Sequence, residues 1–198
     1  LARALIGDAD VLGRQEILAI GSHMEGHPDN VAPAVFGGAT VSWMNEETSE
    51  VGSVRLTPPE GINPVAFIPD FELRTAAARA ALPATVPHGD ASFNVARGAL
   101  LAAILSGGAQ ASGGVNLHAL LMEATRDRLH QEQRRAAMEP SLALVDWLRG
   151  AGFAAVVSGA GPTVLSLEKV GADIRRDAAG AGLSFLPLAV AASGVQIT

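Results

Sequence analysis

Within six positions, the run Glu25-Gly26-His27-Pro28-Asp29-Asn30 gathers two carboxylates, an imidazole and an amide. A carboxylate oxygen is what a divalent cation takes, and an imidazole and an amide can present donors and acceptors to a hydroxyl or carboxylate ligand. Gly26 and Pro28 would fix the turn that collects these groups. On the residues alone the structural reading is the plainer one: Asp29 or Asn30 caps the following helix, and His27 is a satisfied turn residue. In Ser158-Gly159-Ala160-Gly161-Pro162-Thr163 the glycines permit a backbone that exposes consecutive N–H groups, a concavity suited to an anion. No Lys follows, and Pro162 with β-branched Thr163 and Val164 favours a strand, so this is not a Walker loop, and an ordinary tight hairpin would also fit. Thr75 and Arg79 are four apart on one helix face, where hydroxyl and guanidinium could grip one carboxylate; a cap plus a solvent-exposed arginine is the plainer reading. The last segment is Asp127-Arg128-Leu129-His130-Gln131-Glu132-Gln133-Arg134, in which His130 beside Leu129 reads as packed or capping rather than catalytic.

These segments need elements to hold them. Leu12, Ile17, Leu18 and Ile20 recur at helical spacing over 11–23, which predicts a helix running toward Glu25, broken by Gly26 and Pro28. Ala39–Trp43 and Val51–Leu56 read as strands around a polar turn, and Thr57–Gly61 as a linker. Beyond it the pattern predicts a strand at Val65–Ile68 and a helix capped by Thr75 that stops before Pro83. Further helices are expected at Ser92–Leu105, Asn116–Gln133 and Ser141–Arg149, the last closed by Gly150. Phe153–Val157 and Thr163–Leu167 read as strands on either side of the glycine turn. A helix at Asp173–Ala179 and strands at Ser184–Leu188 and Val195–Ile197 complete the pattern. Short strands and longer helices without strict alternation argue for α+β in two lobes.

Composition excludes several classes. With 14 Lys+Arg against 20 Asp+Glu, the formal charge of -6 gives no basic field for a nucleic acid or an anionic membrane. There is no cysteine, hence no disulfide, thiolate zinc site or cysteine nucleophile. The longest apolar runs, Ala99–Leu105 and Leu186–Ala192, are far short of the roughly 20 residues that span a bilayer. Leu1–Ile6 reads as the interior of an apolar helix, which leads us to expect a chain that begins inside an element.

Taken in order, the segments resemble the homoserine kinases of the GHMP small-molecule kinase family. Glu25-Gly26-His27-Pro28-Asp29-Asn30-Val31-Ala32-Pro33, followed by Gly37-Gly38, resembles their substrate-site signature. Ser158–Pro162 resembles their third signature motif, which lies against the ATP phosphate loop. Pro69–Arg79 resembles their strand-to-helix passage, and Asp127–Arg134 their D-x-L-H-Q-P-Y-R segment, with Glu132 and Gln133 in place of Pro and Tyr. The family's phosphate loop has no counterpart in these 198 residues.

The resemblance implies a two-lobed α+β fold. Residues 1–63 would end an N-terminal lobe of the ribosomal protein S5 domain 2 type, and 64–198 would form a ferredoxin-like C-terminal lobe. It implies transfer of the γ-phosphate of ATP, with Mg2+, to the hydroxyl of L-homoserine, a cytoplasmic step toward threonine, and it allows a homodimer. By the same resemblance Glu25 is the metal ligand, and His27, Asn30, Thr75, Arg79 and Arg134 bind the substrate. Asn30, Asp29 and Arg79 stand nearest the chemistry, with Asp29 shaping the site, and Ser158, Gly159, Ala160 and Gly161 support the nucleotide. The isolated chain is expected to be inactive. Two alternatives stay open: a GHMP kinase for another small alcohol, or a non-catalytic homologue that binds an amino acid. His27-Pro28 and the Thr75/Arg79 pair favour an amino-acid ligand.

Overall fold

The structure, a computed structural model, describes residues 12–108 and 112–196, and the expected helix at Leu1–Ile6 lies outside them. The chain divides into two compact units. Among the described residues, the first unit comprises 12–58, 105–107 and 190–196, and the second comprises the remainder. The first break falls between Pro58 and Pro59, inside the run expected to be a linker.

In the first unit, α1 (Arg14–Glu25) leads through a short turn to α2 (Val31–Phe36) and then to an antiparallel hairpin, β1 (Ala39–Met44) and β2 (Val51–Leu56), with Val41 opposite Val54 and Trp43 opposite Gly52. Leu18, Ala32 and Val51 form the buried centre, flanked by Val31, Phe36 and Met44. The helical period of α1 thus points Leu18 at α2 and the hairpin. Gly21 sets how closely the helices meet, because a Cβ there would stand 2.7 Å from Val31 Cγ1. Gly37 has φ 73° and a Cβ on it would run into the backbone of Ser193, while one on Gly194 would run into the Val35 carbonyl. Residues 191–195 therefore lie directly on the end of α2, tied by Gly38 N–H to Ala191 O at 2.7 Å and Val195 N–H to Ala34 O at 2.8 Å. Close backbone approach is what these glycines permit.

The second unit is built on a four-stranded antiparallel sheet in the order β4-β5-β3-β6: β3 (Val65–Ile68), β4 (Ala155–Val157), β5 (Val164–Ser166) and β6 (Ser184–Pro187). The central strand β3 is buried from Val65 to Phe67. Helices α3 (Thr75–Ala80), α4 (His88–Leu105), α5 (Leu117–Ala124), α6 (Glu139–Gly150) and α7 (Ala172–Gly180) pack around it. Val65, Phe67 and Val164 of the sheet meet Leu144, Val145 and Leu148 of α6 and Ala178 of α7. Ile104 of α4 meets Leu121 and Ala124 of α5. A third cluster, Ala78, Met138 and Leu142 with Phe71, Leu73, Val157 and Ala160, gathers α3, α6 and the glycine turn. No helix of the described residues is long and apolar enough to cross a membrane.

The α+β expectation holds, and four local expectations are corrected. The helix expected over Asn116–Gln133 is α5 alone, which stops at Ala124, followed by a loop and a 3-10 helix, Glu132–Ala137. Buried Thr125 ends it: its hydroxyl donates back to Leu121 O at 2.7 Å, and Arg149 takes Met122 O and Thr125 Oγ1, both at 2.8 Å. Thr75 is not a cap; Arg74 holds that position and Thr75 is the first helical residue. Helix α4 starts earlier than expected, where Pro87 O accepts from Asp90 and Ala91 N–H. Val195 and Gln196 are not strand.

Candidate functional site

The Glu25 segment folds as an open turn. Gly26, with φ 80°, closes α1 through its N–H to Ser22 O at 2.8 Å, a left-handed cap that leaves the Glu25 side chain exposed at the helix end. Pro28 is buried and its carbonyl takes the Ala32 N–H at 2.9 Å, which anchors the turn while Asp29 and Asn30 are exposed and His27 is half-buried. Asn30 occupies the cap position of α2 but makes no cap hydrogen bond with its side chain. His27 Nδ1, itself buried, lies 2.5 Å from Asp29 Oδ1 at angles that make no hydrogen bond. Neither the cap nor the satisfied turn histidine is therefore what these side chains do within the fold. The exposed Asp29 carboxylate and Asn30 amide keep polar capacity that a ligand could take.

Among the described residues, no group of three or more His, Asp or Glu is arranged to hold a metal ion. Mg2+ fits the residues present nonetheless, since this ion keeps several waters and typically takes one or two protein carboxylates with the rest from phosphate. Glu25, exposed at the end of α1, would be that carboxylate.

In the second unit, three of the segments read from the sequence come together. Helix α3 carries exposed Thr75 and Arg79. Arg134, half-buried on the 3-10 helix, donates its Nε to Ala78 O on that same helix at 3.1 Å. One edge of its guanidinium is thereby fixed while the other nitrogens are left over. Among the described residues, neither Arg79 nor Arg134 has a carboxylate partner. Below them lies Met138, fully buried against Ala78 and Ala160. The glycine turn rests on that methionine, for a Cβ on Gly161 would stand 3.1 Å from Met138 Sδ. A cis peptide joins Gly161 to Pro162, and fully buried Ser141 donates its hydroxyl to Pro162 O at 2.6 Å.

Inside the turn, Ser158 N–H is bound to Thr163 O at 2.8 Å and Gly161 N–H to Ser158 O at 2.9 Å. The four-residue anion cradle expected from the sequence thus narrows: among the described residues, only the N–H groups of Gly159 and Ala160 are left without a partner. Those two can still receive an anion, while Ser158 would act through its exposed hydroxyl.

Sequence reasoning missed Met138, Ser141, Asp127 and Gln131. Ser141 looked like the start of a helix, whereas α6 starts at Glu139 and the Ser141 hydroxyl points at the glycine turn. His130 is neither packed nor capping: it is exposed and bound to Asp127, by its N–H at 2.8 Å and its Nδ1 at 3.1 Å. Burial opposes ionisation of Asp127, but Gln131 N–H, the Asn94 amide and His130 outweigh it and hold the carboxyl below its ordinary value. Glu132 and Gln133 are used locally, Glu132 with Arg135 at 2.8 Å and Gln133 Nε2 on Arg128 O at 2.6 Å.

Residues 100–179 match the family described as GHMP kinases C terminal. The chain is 42% identical to the homoserine kinase of Streptomyces avermitilis over 99% of its own length and 61% of that protein's. It is 46% identical to the homoserine kinase of Streptomyces coelicolor over 84% of the chain and 50% of that protein. The crystal structure of homoserine kinase from Cytophaga hutchinsonii shares the fold, with TM-score 0.75 and 19% identity over 98% of this chain and 62% of that one. The chain thus spans less than two thirds of the length of the relatives it matches. The chain is similar to homoserine kinases over most of its own length, and residues 100–179 match the C-terminal family model of the GHMP kinases.

Proposed function

We propose that the whole protein phosphorylates the side-chain hydroxyl of L-homoserine, using ATP and Mg2+, as a step toward threonine. The observation that carries this reading is the juxtaposition of Arg134 with the helix bearing Arg79, two guanidiniums without carboxylate partners. Such a pair matches a substrate carboxylate, which an amino acid has and a simple alcohol lacks. Thr75, one turn before Arg79, adds a hydroxyl on the same face. His27 and Asn30 would take polar groups of the substrate, and Asp29 would hold His27 in place. Gly159 and Ala160 would offer their N–H groups to the nucleotide phosphates.

Phosphoryl transfer demands positioning and charge stabilisation more than covalent participation by the protein. That fits a set made of amide, guanidinium and backbone groups. The test is transfer of labelled γ-phosphate by the whole protein, with L-homoserine, mevalonate and shikimate compared as acceptors. Labelled O-phospho-L-homoserine as the dominant product is expected. No transfer to L-homoserine, or dominant transfer to mevalonate or shikimate, would overturn the reading.

A further inference from the structure

Gln131 is tied in three directions at once. Its own N–H is held by Asp127 Oδ2 at 2.7 Å, its carbonyl accepts Arg134 N–H at 3.0 Å, and its side-chain Oε1 accepts Val157 N–H at 2.8 Å. Val157 is the last residue of β4, the edge strand of the sheet, and the next residue opens the glycine turn. An edge strand leaves N–H groups that need partners from outside the sheet, and here the partner is a side chain from the segment that carries Arg134. Asp127 is itself fixed, taking Asn94 Nδ2 at 2.7 Å on Oδ1, while Asn94 Oδ1 takes Arg128 N–H at 2.9 Å. A line of hydrogen bonds therefore runs from α4 through Asp127 to Gln131, where it divides toward Arg134 and toward Val157.

We propose that Gln131 is a positioning residue for phosphoryl transfer: it fixes Arg134 and the Ser158–Thr163 turn in one arrangement, with Asp127 anchoring Gln131 itself. This rests on the kinase reading above. Gln131 touches neither substrate. Its side chain makes the bond that ties the strand end opening the turn to the 3-10 helix carrying Arg134, so losing that bond frees the two pieces from each other and should disturb both ligands together. A residue serving one ligand alone would not do that.

The discriminating pair in the whole protein is Gln131→Leu and Gln131→Glu. Leucine removes the acceptor and leaves Val157 N–H unpaired, whereas glutamate keeps an oxygen at the same reach. Gln131→Leu is expected to lower kcat/KM at least about tenfold for homoserine and for ATP alike, since small misplacements of a reacting constellation are costly. Gln131→Glu is expected to stay within about threefold of the parent, following the retained acceptor. Kinetics of Gln131→Leu unchanged for either ligand, or an equal loss in both variants, would overturn the proposal.

If the parent protein transfers no phosphate to homoserine, the kinase reading has failed separately. The coupling is then read from backbone NMR of the same variants. Faster exchange at Val157 with shifted Gly159 and Ala160 amide signals in Gln131→Leu, but not in Gln131→Glu, supports the positioning role. Unchanged signals contradict it.

Discussion

Glu25 is the last residue of α1, where the helix dipole presents its negative end. A carboxylate there is electrostatically disfavoured by about 0.3–1 kcal/mol, and the helix is already closed by the Gly26 N–H on Ser22 O. A structural role is therefore a poor account of this side chain. In the whole protein, Glu25→Gln should leave the melting temperature unchanged or slightly raised while more Mg2+ is needed for half-maximal activity. Mg2+ titrations run beside thermal unfolding check this, and an unshifted Mg2+ curve would remove Glu25 from the metal site. Asp127 makes the opposite kind of prediction. Its carboxyl is held below the ordinary 3.8, so its contribution is complete above that value and is lost as pH falls through the lower, folded-state value. Acid unfolding followed by circular dichroism should show the parent losing stability below about pH 3.8 more steeply than Asp127→Ala, which lacks the titrating group.

At the scale of elements, Met138 is the joint on which α3, the start of α6 and the glycine turn rest. Met138→Ala should cost about 2–5 kcal/mol through the lost apolar contact and the cavity left behind, and Met138→Leu less than about 1.5 kcal/mol. Denaturant unfolding measures both, and equal stability of the two variants would show that the joint does not depend on packing there. Most elements were legible in the sequence because their apolar residues recur at 2 or 3.6 positions. Leu18, Leu121, Leu144 and Leu148, for example, all fall on buried helix faces. The failure at Asn116–Gln133 has a clear cause. Leu129 continues a helical period, but buried Thr125 and Asp127 claim backbone groups that a longer helix would need. Tertiary partners such as Arg149 are invisible to local periodicity. Glu25, His27, Asn30, Arg79 and Arg134 were singled out through motif and charge. Gln131 and Ser141 were not, because each acts on a backbone group 26 or 21 residues away.

For the molecule as a whole, the proposed function requires that two arginines without carboxylate partners among the described residues, on α3 and the 3-10 helix, select a substrate with a carboxylate. A bidentate carboxylate contact is worth roughly 1.5–3 kcal/mol, about 10- to 150-fold in binding. Removing it should act on the amino acid and leave ATP use within about twofold. The measurement that isolates this compares L-homoserine with 3-amino-1-propanol, its analogue without the carboxylate, in the parent protein and in Arg79→Leu. The parent should favour homoserine by at least about 100-fold in kcat/KM, and Arg79→Leu should reduce that preference to about tenfold or less while the ATP KM holds. A preference for homoserine that is the same in both proteins would contradict the claim.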